Sequence, residues 1–398
     1  MRIKMTGLKK VLTGALALTM CLGATLTTMA GTGGSVADPA QAHLSKTLSY
    51  AAGLSTPTAT FTFDFEKVSK DGITAPEMLA KIPTIGEKTL NFAAADTGTP
   101  DGGIISITKS TADVVAGIDW TAADGAGTYV WRVTERVAGF SPATGERMDF
   151  SDASFDLVVK VAYNAASDSY YVESTHTDQT HVDDGTTGGA KGGADVSAGG
   201  TGDADYNFTF TNIYSVQAGE NPGTGTGNNE ALVISKTVVD GDTGRGFAFT
   251  ITLNDSAVTH TPATYVGTVY NGTTATGETV NVIAGATATG FTLKHGQRLV
   301  FHDVPVGTVV NVTEQANLGY TPSITGMATL DGTEGQELST GNRTVGLGAN
   351  AIHFTNTVDT TIIPGGVLAN NLPFFAMIGA GILVVALFAV INKRKAMR

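Results

Sequence analysis

The stretch A-L-V-I-S-K-T-V-V, residues 231–239, is typical of a β-strand with one lysine in an unexpected place. Side chains alternate between the two faces of a strand, so Leu232, Ile234, Lys236 and Val238 share one face. That face is apolar apart from the lysine. Burying an unpaired ammonium costs several kcal/mol, so such a group must be neutralised or consumed. The sequence therefore raises the question of what Lys236 does on the core side of a strand.

Short phrases recur in the same order in the two halves of the chain, each in an alternating run: S-K-T at 45–47 and 235–237, V-T-E at 133–135 and 312–314, F-T-N at 210–212 and 354–356. Two copies of one domain explain this order. Each copy points one lysine, one glutamate and one asparagine toward its core. They are Lys46, Glu135 and Asn212 in the first copy, and Lys236, Glu314 and Asn356 in the second. One such residue alone is usually an edge or cap residue, but six in matched order favour a shared function.

Composition agrees with an all-β protein. The chain has 398 residues, of which 50 are glycine and only 15% are charged, and its β-branched and aromatic residues fall in short runs. This composition favours many strands and turns over helices. The net charge of −12 argues against nucleic acid as a partner.

The first 42 residues predict a signal peptide and leader. Residues 1–10 are basic, and the apolar run V-L-T-G-A-L-A-L-T-M-C-L-G-A-T-L follows. This arrangement is typical of secretion, with cleavage after Ala30 or after Ala42. The single cysteine, Cys21, lies in the apolar run, so we expect a mature chain without disulfides.

The other end predicts a membrane anchor. Residues 372–391 are uncharged and about as long as a bilayer-crossing helix, and the basic tail N-K-R-K-A-M-R follows. We therefore expect an exported precursor that is held in the membrane by its C-terminus.

These features divide the chain. The first β-sandwich is expected at 43–216 and the second at 229–360, with the glycine-rich segment 217–228 as a linker or tight junction. Residues 361–398 hold the C-terminal signals.

Chemistry offers a role for the buried triads. A lysine in an apolar core loses its proton readily and becomes a nucleophile, whereas a buried glutamate tends to stay protonated. Such a glutamate can polarise the asparagine carbonyl and move protons while ammonia leaves and an amide forms. Because the fold holds the groups together, the reaction can occur once without turnover. We expect no enzyme in the ordinary sense, no cofactor and no metal.

The chain resembles the major backbone pilins of Gram-positive bacteria, of the streptococcal type with two pilin isopeptide-linkage domains. The resemblance lies in L-S-K-T-L, Y-V-W-R-V-T-E and F-T-F-T-N-I-Y in the first half, and in L-V-I-S-K-T-V, V-P-V-G-T-V-V-N-V-T-E and H-F-T-N-T in the second. It implies immunoglobulin-like β-sandwiches in tandem. It also implies a set of cross-links, which are Lys46 to Asn212 promoted by Glu135, and Lys236 to Asn356 promoted by Glu314.

The resemblance extends to T-I-I-P-G-G-V-L-A-N-N-L-P-F-F, residues 361–375. Ile363, Pro364, Gly365 and Gly366 occupy the places of a sorting motif that a sortase transpeptidase would cut between the two glycines. The chain departs from the family pattern at Gly365, where the family usually has threonine.

The family also implies a lysine that receives the next subunit, and Lys191 is the only lysine in the glycine-rich loop 183–203. The expected partners are the sortase, further copies of the chain, minor pilins and peptidoglycan, at the cell wall. The alternative is a wall-anchored monomeric adhesin, or a basal or minor pilin that uses the same domains as a stalk.

Overall fold

A computed structural model describes residues 34–182, 208–219, 230–254, 264–286 and 288–358. Within these ranges the chain is almost entirely β-strand and forms two sandwiches, one on each side of residues 220–229. The predicted all-β fold class with two tandem sandwiches is confirmed.

The first sandwich contains ten strands and one short helix in the described residues. They are β1 Ser45–Ala51, β2 Ala59–Lys70, α1 Pro76–Leu79, β3 Lys88–Phe92, β4 Thr99–Asp101, β5 Ile104–Ser110, β6 Gly127–Glu135, β7 Glu146–Asp149, β8 Ser154–Asn164, β9 Ser169–His181 and β10 Thr209–Val216.

The second sandwich contains twelve strands in its described part. They are β11 Leu232–Val239, β12 Phe247–Asn254, β13 Thr264–Asn271, β14 Thr274–Ile283, β15 Thr289–Leu293, β16 Gln297–Phe301, β17 Val309–Glu314, β18 Tyr320–Gly326, β19 Leu330–Asp331, β20 Leu338–Ser339, β21 Arg343–Thr344 and β22 Ala351–Val358.

Each sandwich pairs its first strand with its last. In the first, one sheet has the order β4-β5-β1-β10-β7 and the other β3-β2-β6-β8-β9. In the second, the orders are β14-β13-β16-β11-β22-β18-β19 and β15-β12-β17-β20, with β21 beside β17. The β1–β10 and β11–β22 pairs are parallel, whereas all the other strand pairs of the described residues are antiparallel. The first and last strands therefore lie side by side inside one sheet of each sandwich.

The cores follow from period-two alternation. Burial alternates along all of β10 and β11, and along most of β1. The inward residues of the two sheets meet in ring contacts: the centroids of Phe63 and Phe210 lie 5.0 Å apart, and those of Phe249 and Phe354 lie 5.1 Å apart. Both lysines of the repeated pattern are on these inward faces.

The start of the segment 217–228 forms a tight junction. The Ala218 N–H donates to the Val304 carbonyl at 2.8 Å, and the Val306 N–H donates to the Val216 carbonyl at 2.9 Å. Gln217 pairs with Pro305, and its side-chain amide also donates to the His302 carbonyl. The chain leaving β10 is therefore hydrogen-bonded to the second sandwich before residue 220, and residues 220–228 lie outside the described ranges.

Part of the segment assigned to the leader packs on the first sandwich. Ala40 and Ala42 are 5% and 0% exposed. The Ala40 N–H donates to the Val172 carbonyl at 3.0 Å, and the Ala42 N–H donates to the Asp113 carboxylate at 2.9 Å. The packed first unit therefore starts upstream of residue 43, where the sequence placed its boundary.

Several predictions concern residues outside the described ranges: the apolar run of the signal peptide, Lys191, the sorting motif at 363–366 and the membrane segment 372–391. Among the described residues, no helix is long and apolar enough to cross a bilayer.

Candidate functional site

The strand register brings lysine and asparagine together in the same way in both sandwiches. In the parallel β1–β10 pair, Lys46 lies opposite Phe210 and Leu48 lies opposite Asn212. The asparagine is thus two positions further along the neighbouring strand, on the same face of the sheet. In the β11–β22 pair, Lys236 lies opposite Phe354, and Asn356 again follows two positions later.

The glutamate of each site comes from the facing sheet. Glu135 is the last residue of β6 and pairs with Phe63, and Glu314 is the last residue of β17 and pairs with Phe249. Both side chains cross the core to reach the first and last strands. The three residue types that the sequence singled out are therefore in contact in each sandwich.

In the first site, Glu135 bridges the other two residues. The Lys46 Nζ donates to Glu135 Oε2 at 2.7 Å, and the Asn212 Nδ2 donates to Glu135 Oε1 at 2.6 Å. The lysine and asparagine have no solvent exposure, and Glu135 is 8% exposed. The amine and the amide thus share one carboxylate in a site closed to water.

The second site repeats this contact with a different division of the oxygens. The Lys236 Nζ donates to both carboxylate oxygens of Glu314, at 3.0 and 3.1 Å, and the Asn356 Nδ2 donates to Oε1 at 2.6 Å. All three residues are 1% exposed. The same buried contact of lysine, glutamate and asparagine is therefore present in each sandwich.

The role expected for the glutamate is different in detail. The sequence predicts a glutamate bonded to the asparagine carbonyl, whereas in both sites its oxygen accepts from the amide nitrogen. This nitrogen is the one that would leave as ammonia. The geometry therefore suits the glutamate for moving a proton from the lysine to the leaving group, and the carbonyl must be polarised by another group.

Burial shifts the titration of the second site. Desolvation lowers the pKa of Lys236 to about 8, against the opposing effect of Glu314. Desolvation also raises the pKa of Glu314, while Lys236 and Asn356 act in the opposite sense. The two pKa values move toward each other, so proton transfer from ammonium to carboxylate becomes easier than in water.

Two features of the sites were missed in the sequence. Phenylalanine rings cover the amines: Lys46 Nζ lies 4.8 Å from the Phe61 ring centre, and Lys236 Nζ lies 4.4 Å from that of Phe247. The repeated F-x-F pattern of β2 and β12 was a usable signal for them. The second feature is the Ser151 backbone N–H, which donates to Asn212 Oδ1 at 2.6 Å. Ser151 lies in a loop, where the alternation of inward and outward side chains along a strand does not apply.

Lys70 is a third buried lysine, and comparison with it shows why the asparagine of each triad matters. Lys70 is 4% exposed, and its Nζ donates to the Asp124 carbonyl and carboxylate at 3.2 and 3.1 Å. Hydrogen bonds from Lys70 and Lys81 lower the pKa of Asp124, so that group stays a carboxylate, which an amine does not attack. Lys70 therefore forms an ordinary ion pair, although its burial resembles that of Lys46.

The receiving lysine is less well defined. Lys191 lies outside the described residues. Lys160, on the nearby strand β8, has an exposed side chain that forms an ion pair with Glu173 at 2.7 Å, and the hydrogen bond to Glu173 raises its pKa. Lys160 is therefore an exposed, ion-paired lysine, and Lys191 stays the candidate that the sequence predicts.

Comparison with known family models gives one match, in the second half of the chain. A family model described as "Domain of unknown function (DUF7601)" matches residues 230–358. No curated protein matches the chain.

Solved structures similar to the chain include the major pilin from Streptococcus pyogenes, with 18% identity, 81% of this chain and 99% of that chain covered, and a TM-score of 0.31. The T3.2 major pilin of the same species has 19% identity, with 80% and 98% covered and a TM-score of 0.29. A pilus-presented adhesin has 14% identity, with 52% and 37% covered and a TM-score of 0.26. At these values, function has to be argued from the sites themselves.

Proposed function

We propose that this protein is a structural subunit of a covalently polymerised cell-surface pilus, in which each sandwich is stabilised by a self-formed Lys–Asn isopeptide bond. The observation that carries the proposal is the buried Lys–Glu–Asn contact, built twice at the same strand register. A buried ion pair on its own is weak support for stability. A lysine and an asparagine that meet on one buried carboxylate, in both sandwiches, are arranged for a reaction.

The reaction joins Lys46 to Asn212 and Lys236 to Asn356. The lysine amine attacks the asparagine Cγ, the glutamate takes a proton from the attacking nitrogen and delivers one to Nδ2, and the C–Nδ2 bond breaks. Overall, one ammonium side chain and one carboxamide become one amide and one ammonium ion. The protein is thus its own single-turnover catalyst, with Glu135 and Glu314 in the catalytic role and without a cofactor or metal.

The polymer depends on the C-terminal signals. We propose that a sortase cuts within Ile363–Gly366 and transfers the new carboxyl end to Lys191 of the next subunit, to a minor pilin or to peptidoglycan. The mature fibre is then anchored to the cell wall after a membrane-held stage. The sequence features that support this step are the uncharged segment 372–391 and the basic tail behind it.

Peptide mapping of the full chain tests the bonds. We expect a deficit of two ammonia molecules, with the peptides of Lys46 and Asn212 linked to each other and those of Lys236 and Asn356 likewise. Glu135→Ala should restore one ammonia and free only the first pair. Free side chains in well-folded protein would refute the chemistry.

Cell-wall extracts test the polymer. A ladder of high-mass species that survives boiling in detergent is expected, and Pro364→Ala should remove it. Lys191→Arg should also remove it, whereas Lys160→Arg is the matched control that keeps it. A single band from the unaltered chain would instead favour a wall-anchored monomeric adhesin or a basal or minor pilin.

A further inference from the structure

The two sites differ at the asparagine carbonyl oxygen. In the first, the buried Ser151 backbone N–H donates to Asn212 Oδ1 at 2.6 Å. In the second, no group among the described residues donates to Asn356 Oδ1, although this atom is buried. A buried amide oxygen without a donor is uncommon, and here it is the atom on which charge develops during the attack.

The local ends of the strands explain the difference. Strand β7 ends at Asp149, so the chain leaves the ladder before Ser151, which the continued register would place opposite Thr211. In the second sandwich the matching position, opposite Thr355, is occupied by Ser323, which stays in the β18–β22 ladder. The Ser323 amide stays in its ladder, whereas the Ser151 amide lies beyond the end of β7 and donates to the Asn212 side chain.

The Ser151 contact also fixes which way the Asn212 amide points. A backbone N–H pairs with oxygen and not with an NH₂ group, so Oδ1 faces Ser151 and Nδ2 faces Glu135. The Asn212 carbonyl carbon therefore lies between two groups. The Ser151 N–H can donate a hydrogen bond to the developing oxyanion, and Glu135 can pass a proton to the leaving nitrogen.

We propose that the Ser151 backbone N–H is a catalytic oxyanion donor for the first bond, and that the first site consequently links faster than the second. The proposal rests on the isopeptide chemistry proposed above. When Lys46 Nζ attacks Asn212 Cγ, the carbonyl π electrons move to Oδ1, and the Ser151 N–H stabilises that negative charge. Glu135 takes a proton from the attacking Nζ and delivers one to Nδ2, and when the electrons return from Oδ1 the C–Nδ2 bond breaks and ammonia leaves.

Removing one donor of this kind typically slows a reaction about 10²- to 10³-fold. We therefore expect the first site to link at least about 10²-fold faster than the second if the other contributions are alike. The residue types and the strand offset are the same in the two sites, whereas Lys46 donates to one carboxylate oxygen and Lys236 donates to both. The second site therefore serves as an internal reference for the first in the same chain.

The experiment follows both bonds in the same molecules. The full chain is translated in a cell-free system with detergent, samples are stopped in acid at successive times, and linked and free peptides of each site are quantified by mass spectrometry. Ser151→Pro removes the N–H, and Ser151→Ala keeps it as the matched control. Protease resistance of the first sandwich shows whether the proline variant has folded.

In the unaltered chain, the Lys46–Asn212 peptide should appear well before the Lys236–Asn356 peptide. In folded Ser151→Pro, the first bond should slow about 10²-fold while the second keeps its rate. Ser151→Ala keeps the N–H and loses the hydroxyl that accepts from the Ala153 N–H, so its first bond should form much faster than in Ser151→Pro. Equal rates at the two sites, or a proline variant that links at the normal rate, would overturn the oxyanion role alone. If the proline variant does not fold, the linking rates of the two sites in the unaltered chain test the oxyanion role. Absence of both links from folded, unaltered protein would instead refute the proposed function.

Discussion

Asn356→Ala should destabilise the second sandwich mainly by removing its cross-link. The substitution leaves Lys236 and Glu314 as a buried ion pair, with Nζ–oxygen distances of 3.0 and 3.1 Å, so no charge loses its partner. The residues that the bond would join are 120 positions apart. In the chain-entropy treatment of cross-links, closing a loop of this length contributes about 5 kcal/mol to the free energy of unfolding.

In the linked chain the Asn356 Nδ2 has already left as ammonia, so its hydrogen bond to Glu314 does not add to this value. For a domain of this size, each kcal/mol corresponds to roughly 4 °C in Tm, and a loss of about 5 kcal/mol predicts a decrease of about 20 °C.

Calorimetry of the full chain measures the effect, and the transition of the first sandwich serves as an internal reference. Asn254→Ala is the matched control, because Asn254 is exposed at the end of β12. It should change the free energy of unfolding by less than about 0.5 kcal/mol. If Asn356→Ala unfolds within a few degrees of the unaltered chain, the second sandwich does not depend on a cross-link and the reasoning fails.

Three further outcomes are expected. Because the pKa of Lys236 is lowered to about 8, the neutral amine fraction rises about tenfold per pH unit below that value and levels off above it. The rate of the second bond, followed by peptide mapping of newly translated chain between pH 6 and 9, should have this shape; a rate that does not change with pH would contradict it. Lys70→Met should leave the two-ammonia deficit unchanged, since Lys70 faces the carboxylate of Asp124. A link between these two residues would release water, so an additional deficit of one water that Lys70→Met restores would show that Lys70 is itself linked. N-terminal sequencing of the secreted protein should find cleavage after Ala30, because cutting after Ala42 would remove a segment that is hydrogen-bonded to the first sandwich; a mature chain starting at residue 43 would refute this.

Alternation in the sequence was enough to assign the lysine, glutamate and asparagine of each copy to inward strand faces. Their pairing within one sandwich came from the repeated order of the phrases and from the family resemblance, because contact also depends on strand order and register. Lys46 and Asn212 could be assigned to the core from their neighbours alone. The Ser151 contact could not be found in this way, since it belongs to the backbone and arises where β7 leaves its ladder. The contact of Glu135 with the amide nitrogen, and not with the carbonyl, likewise depends on three-dimensional placement of the carboxylate. The hydrogen bond from Ala218 to Val304 of the second sandwich could not be predicted from the glycine-rich composition of its segment.

The parallel pairing of the first and last strands has a mechanical consequence. Since β1 and β10 run in the same direction, as do β11 and β22, the chain enters each sandwich at one end and leaves at the opposite end. Tension along the molecule then slides these strands past each other in shear, so their hydrogen bonds resist together and do not unzip singly. A side-chain amide between the same strands would bypass the intervening residues altogether, and the remaining strands of the sandwich would be shielded from the pull.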